Sequence, residues 1–161
     1  PHAVPSDRVI EKGDFVLMDY GAGYCDYRSD MTRTVVMGEP TQEQLDLYAL
    51  VRRTHEECVA AIHPGVEGND IFKLSKKIIG DAGYGDYYNH GLGHGVGIDI
   101  HELPNFNRSK NIIEIGSVVT MEPGVYLPGV GGVRLEDYGV VTENGYEPFT
   151  KTPHDLHVID C

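Results

Sequence analysis

Residues 118–136 read VVTMEPGVYLPGVGGVRLE, two apolar arms around the turn residues PGVGG, and this pattern predicts a β-hairpin. Centred on Gly129, the hairpin places Glu122 opposite Glu136, each embedded in an apolar arm. The device recurs near the start of the chain. FVLMDY at 15–20 and TRTVVM at 32–37 have strand chemistry and flank a Gly21-Ala22-Gly23 break. A turn centred on Tyr24-Cys25 pairs Asp19 with Asp30. Directly opposed side chains have Cβ atoms roughly 4.5–5.5 Å apart, where like charges destabilise a sheet. At an effective dielectric near 20, two carboxylates ~5 Å apart repel by about 3 kcal/mol. Two such pairs inside apolar strands call for a counter-ion.

Between the hairpins, residues 89–104 read NHGLGHGVGIDIHELP and carry His90, His94 and His101. Gly91, Gly93, Gly95 and Gly97 fill every second position, so the segment is extended or looped backbone and not a helix presenting His90 and His94 on one face. Four carboxylates and one imidazole form a hard, oxygen-dominated donor set. It suits Mn²⁺, or Co²⁺, Fe²⁺ or Zn²⁺ in a two-metal site, better than a structural Cys/His zinc. Two divalent ions balance the four negative charges, and such a centre points to hydrolysis.

Outward from these motifs, Thr41 and Gln44 form a capping box at the start of a helix whose apolar face is Tyr48, Val51, Cys58 and Ile62, ended by His63-Pro64-Gly65. A second helix is expected from about Asn69 to Ala82, with Ile71, Phe72, Ile78 and Ile79 inward and Gly83 at its C-terminal stop. Glycine-punctuated β structure follows as a meander. The chain has 161 residues with 13 Lys+Arg against 25 Asp+Glu, a net charge of −12 that argues against nucleic-acid or anionic-membrane partners. With 40% apolar and 24% charged residues its composition is globular, and no apolar run approaches the ~18 residues of a membrane span. Cys25, Cys58 and Cys161 are too scattered for a disulfide framework, which fits a reducing, cytoplasmic location. Tyr84, Tyr87 and Tyr88 are expected to form a packed lip before the histidine loop. The start at Pro1, without an initiator methionine, suggests a chain cut from something longer.

In their order, PHAVPSD, GDFVLMDYG, YRSDMTRT, HGLGHGVGIDIHELP, TMEPGVYLPGVGGVRLED and KTPHDLHVI make the chain resemble the pita-bread metallopeptidases, in the aminopeptidase P and prolidase (Xaa-Pro dipeptidase) branch. The resemblance implies an α+β, creatinase/aminopeptidase-type fold, a curved antiparallel sheet with helices on its outer face. Residues 1–161 would then be the C-terminal part of a single catalytic domain, incomplete at its N-terminal side. It further implies metal ligation by Asp19, Asp30, His94, Glu122 and Glu136, with Asp30 and Glu136 bridging two divalent ions, manganese first among them. Glu122 would also handle the proton of the attacking water, His90 would line the proline pocket, and His101 would steady the reacting group. Arg134 would brace the centre, and His2 matches a further active-site histidine. The implied reaction is hydrolysis of the bond between an N-terminal residue and proline, in dipeptides or in peptides with proline second, by a protein that is a homodimer at full length. Two other readings are a catalytically inactive pita-bread module used for protein binding and an acidic domain that binds Ca²⁺ incidentally. The complete ligand set argues against the first, and ligands drawn from two distant hairpins argue against the second.

Overall fold

Strand β1 (Phe15–Tyr20) pairs antiparallel with β4 (Met31–Met37), and the short ribbon β2 (Gly23–Tyr24) with β3 (Tyr27–Arg28) carries the same register out to the turn. This computed structural model describes residues 1–160. The turn falls on Cys25 and Asp26, whose φ angles of 48° and 68° are those of the turn type that matches strand twist. It is therefore centred one residue later than expected, and Asp19 faces Thr32 instead of Asp30. The cause is local. The expected centre would put Tyr24 in a left-handed conformation, which Asp26 tolerates far better. A register shift of two residues preserves the face, so Asp19 and Asp30 remain on one side of the ribbon as diagonal neighbours. Gly21 is required beside them, because a Cβ there would lie 1.9 Å from the Ser29 carbonyl oxygen.

Helix α1 (Gln42–Ala60) starts with the expected capping box. Thr41 Oγ1 accepts from the Gln44 amide at 3.2 Å, while Gln44 Oε1 accepts from the Thr41 amide at 2.9 Å. Helix α2 (Gly68–Asp81) begins one residue early and is followed by Gly83 at φ 89°. The strands β5 (Gly93–Gly95), β6 (Glu102–Phe106), β7 (Val118–Met121), β8 (Gly124–Leu127), β9 (Gly131–Arg134), β10 (Asp137–Thr142), β11 (Gly145–Pro148) and β12 (His157–Ile159) complete the chain.

The second acidic hairpin has the expected symmetry about Gly129: Met121 pairs with Asp137 and Gly124 with Arg134. Both arms break at the acids. Pro123 has no amide hydrogen for a ladder, and the Glu122 amide instead donates to Leu92 O at 2.8 Å. Below the break, the arms join a five-stranded antiparallel sheet of order β11-β10-β7-β5-β6, a less sequential arrangement than a meander; above it, β8 and β9 form a separate ribbon. An isolated bridge between Thr32 and Glu136 ties the two hairpins together. One pairing departs from an all-antiparallel expectation, since β12 runs parallel to β4.

The helices cover the sheets with Leu47, Val51, Ile71 and Ile79 against Val119, Met121, Val133 and Val141, all buried in one cluster. Full burial of such side chains stabilises by roughly 1.5–3 kcal/mol each. Tyr88 joins this core at 1% exposure and is not part of a lip, whereas Tyr87 is exposed. Cys25 and Cys58 are free thiols, and Cys161 lies outside the described residues. Among the described residues, no helix is long and apolar enough to cross a membrane.

Candidate metal centre

Strand alternation assembles the site. Asp30 and Thr32, Thr120 and Glu122, and Arg134 and Glu136 are each two positions apart, so each pair shares a face. Asp30, Glu122, Arg134 and Glu136, with Asp19, His90, His94 and His101, surround a cavity of about 540 Å³ whose wall also includes His2; Thr32 and Thr120 are buried behind it. The ligand atoms of Asp30, His94 and Glu136 lie within 4.8 Å of one another. His94 Nδ1 donates to Gly95 O at 3.0 Å, which leaves Nε2 unprotonated and facing Asp30 Oδ2 at 3.7 Å and Glu122 Oε1 at 3.4 Å. Glu136 Oε2 accepts from Thr32 Oγ1 at 2.6 Å. Of the five residues implied as ligands, Asp30, His94 and Glu136 form the tight group and Glu122 adjoins it through His94. Asp19 stands on the rim, its carboxylate paired with Arg134 Nη2.

A second network orients the histidine wall. Arg134 Nη1 donates to the Tyr126 hydroxyl at 2.9 Å, and that hydroxyl donates to His90 Nε2 at 3.0 Å. His90 Nδ1 donates in turn to Gly91 O at 2.6 Å. Both imidazole nitrogens are thus occupied, so His90 is a wall and not a ligand; it meets Tyr88 edge-on at 5.1 Å. The His101 ring packs against His94, tilted by 59° with ring centroids 4.3 Å apart. Sequence reasoning misses Thr32, Thr120 and Tyr126. The signal for the two threonines is their spacing of two from Asp30 and Glu122.

Burial dominates the electrostatics. It raises the Asp30 carboxyl to about 6, with the Asp19 charge adding to it. It raises Glu122 to about 7 against the opposing pull of Arg134. Glu136 is held well above the ordinary carboxylate range by burial and by the charges of Glu122 and Asp30. Burial lowers His94 and pushes His90 down to about 4, so both imidazoles are neutral near pH 7. Neutral imidazole and crowded carboxylates are the states a divalent cation binds, and the donor set fits such ions.

Substituting Tyr126 by Phe removes the donor to His90 and the acceptor for Arg134. Chemical denaturation should show a loss of about 1–3 kcal/mol, the cost of buried polar atoms left unmet; unchanged stability would contradict this network.

Residues 1–143 match the sequence profile of metallopeptidase family M24. The chain belongs to that family. Over 157 residues this M24 chain is 45% identical to an Xaa-Pro dipeptidase of Pyrococcus furiosus, covering 97% of this chain and 45% of that one. It superposes on an Xaa-Pro dipeptidase from Bacillus anthracis with a TM-score of 0.95 and 43% identity, over 99% of this chain and 45% of that one. An X-Pro aminopeptidase from Thermotoga maritima gives a TM-score of 0.95 at 36% identity, over 99% of this chain and 46% of that one. The chain therefore spans less than half the length of these relatives. Its architecture is the pita-bread fold of the M24 family.

Proposed function

We propose that the cavity is a two-metal hydrolytic centre that cleaves the bond between an N-terminal residue and proline. The observation that carries this reading is the group formed by Asp30, Glu136 and the free Nε2 of His94. Asp19, Asp30, His94, Glu122 and Glu136 would hold the ions. Mn²⁺ suits the oxygen-rich set, with Co²⁺, Zn²⁺ and Fe²⁺ as alternatives. When bound, the ions supply a Lewis acid for the scissile carbonyl and acidify the attacking water. The reading takes residues 1–161 as the C-terminal part of one catalytic domain, in a cytoplasmic homodimer.

An Xaa-Pro bond is a tertiary amide with no N–H and a fixed φ, so a site that grips extended backbone through its donors handles it poorly. This wall offers the alternative. His90, held neutral and clamped between Gly91 O and the Tyr126 hydroxyl, presents a rigid ring face to the proline side of the substrate. Glu122 takes the proton from water and returns it to the proline nitrogen. An N–H of His101 steadies the developing oxyanion. Arg134 fixes Asp19 and Tyr126 together, coupling the metal rim to the substrate wall.

The test offers the Mn²⁺-loaded protein an Xaa-Pro dipeptide, a longer Xaa-Pro peptide and an Xaa-Ala dipeptide side by side. Hydrolysis confined to the proline substrates is expected. Equal rates on Xaa-Ala, or no hydrolysis of any, would overturn the reading. Preference between the two proline substrates assigns dipeptidase or aminopeptidase activity.

A further inference from the structure

Asp137 follows Glu136, so strand alternation turns its side chain away from the cavity, toward α1 and the segment leading into β12. There its Oδ2 lies 2.6 Å from His154 Nε2 and 3.5 Å from His55 Nε2. Its Oδ1 accepts from Arg33 Nη2 at 2.7 Å. His55 comes from α1 and is 3% exposed, yet neither of its ring nitrogens has a hydrogen-bond partner, the 3.5 Å approach lacking the required alignment. A buried polar group left unmet costs about 1–3 kcal/mol, and native structures rarely carry one without a reason. The two imidazole rings stand edge to face, 4.8 Å between centroids. The ligand atoms of His55, Asp137 and His154 all lie within 4.8 Å of one another.

We propose that His55, Asp137 and His154 form a second metal site, a zinc clip on the opposite face of the sheet from the cavity. Two imidazoles and one carboxylate make a borderline donor set suited to Zn²⁺, which takes tetrahedral coordination at about 2.0–2.2 Å. That geometry sets ligand atoms roughly 3.4 Å apart. His55 and Asp137 already have nearly this spacing at 3.5 Å, and His154 reaches it by swinging back from its hydrogen bond. The His154 side chain is 24% exposed, which gives an ion a way in and leaves room for one water as fourth ligand. Octahedral Fe²⁺ would need three further ligands, whereas His55 and Asp137 are buried and only the His154 side opens toward solvent. Burial pushes His55 down to about 4, so it binds without displacing a proton.

Arg33 keeps Oδ1 and its bonds to the carbonyls of Thr32, Glu136 and Thr152, and its charge tempers the affinity. The first two carbonyls belong to the backbone that positions Thr32 and Glu136, and the third to the C-terminal segment. A bound ion would therefore tie α1, the start of β10 and the C-terminal segment into one support behind the cavity.

The test is a Zn²⁺ titration of chelator-stripped protein, read by calorimetry and by imidazole NMR. The background is the double variant Asp30→Asn, His94→Ala, which disables the cavity, so the outcome is independent of the activity proposed there. One zinc equivalent should persist in this background, with the His55 resonances shifting on binding. Adding His154→Gln, which keeps a hydrogen-bonding side chain beside Asp137, should remove that equivalent and the His55 shift. The same stoichiometry with and without His154, or His55 resonances unmoved by zinc, would overturn the proposal. His154 is partly exposed, so its variant is expected to fold; a thermal melt raised by zinc only when His154 is present provides a second readout.

Discussion

Glu122→Gln should lower turnover on Xaa-Pro substrates by about 10²–10⁴-fold, the range that general acid–base catalysis supplies. Gln keeps the shape and an oxygen for Thr120 Oγ1, 3.5 Å away, but cannot take up or return a proton. The position suits proton transfer, since Glu122 Oε1 lies 3.4 Å from His94 Nε2 and Arg134 approaches its other oxygen at 3.9 Å. Stability should move the other way. Burial raises Glu122 to about 7, so above that pH the metal-free wild type holds an ionised carboxylate that the fold disfavours, whereas Gln stays neutral. The metal-free variant should therefore unfold at higher denaturant than wild type at about pH 8 while losing activity when loaded. Wild-type turnover in the variant would remove Glu122 from the mechanism.

Metal affinity should rise steeply with pH. Protons on Asp30, near 6, and on Glu122, near 7, together with those held by Glu136, compete with a cation for the same oxygens. Affinity should climb through those values and level off above them, with proton release visible as a buffer-dependent heat. The sign for folding follows from the same groups. A carboxyl whose pKa is raised on folding contributes stability below its unfolded value and loses it as pH rises through the folded one. Below about 6.5 the trend is opposed by His55, His90 and His94, whose lowered values make stability rise with pH. Above about 6.5 the unfolded histidines become mostly neutral, so their opposition fades and the carboxylate trend dominates. Metal-free protein should therefore lose stability from about pH 6.5 to about pH 8, and saturating Mn²⁺ should abolish the loss. Affinity independent of pH over that range would contradict the cavity electrostatics.

Much of the fold and of the cavity is legible in the residues alone. The Glu122 and Glu136 register follows from PGVGG, because a glycine-rich turn with symmetric apolar arms admits one centre. Apolar periodicity puts the first hairpin two residues out of register, since its turn is decided by whether Tyr24 or Asp26 takes the left-handed position, a steric choice that the pattern does not encode. The even shift leaves both acids on the expected face. The parallel pairing of β12 with β4 is not legible, because it depends on where a distant segment returns and not on local pattern. Thr32 and Thr120 look like ordinary β-branched strand residues until alternation is counted outward from the acids. His55 is hidden for the opposite reason: between Val51 and Cys58 on α1 it lies in a buried stripe, and its role emerges only when Asp137 and His154 arrive from remote parts of the chain.

The central claim is tested most directly by crystals of the protein grown with Mn²⁺ and measured at the manganese absorption edge. Two anomalous peaks bridged by Asp30 and Glu136, with His94 Nε2 on one of them, are predicted. A single peak, or none within the cavity, would contradict a two-metal centre.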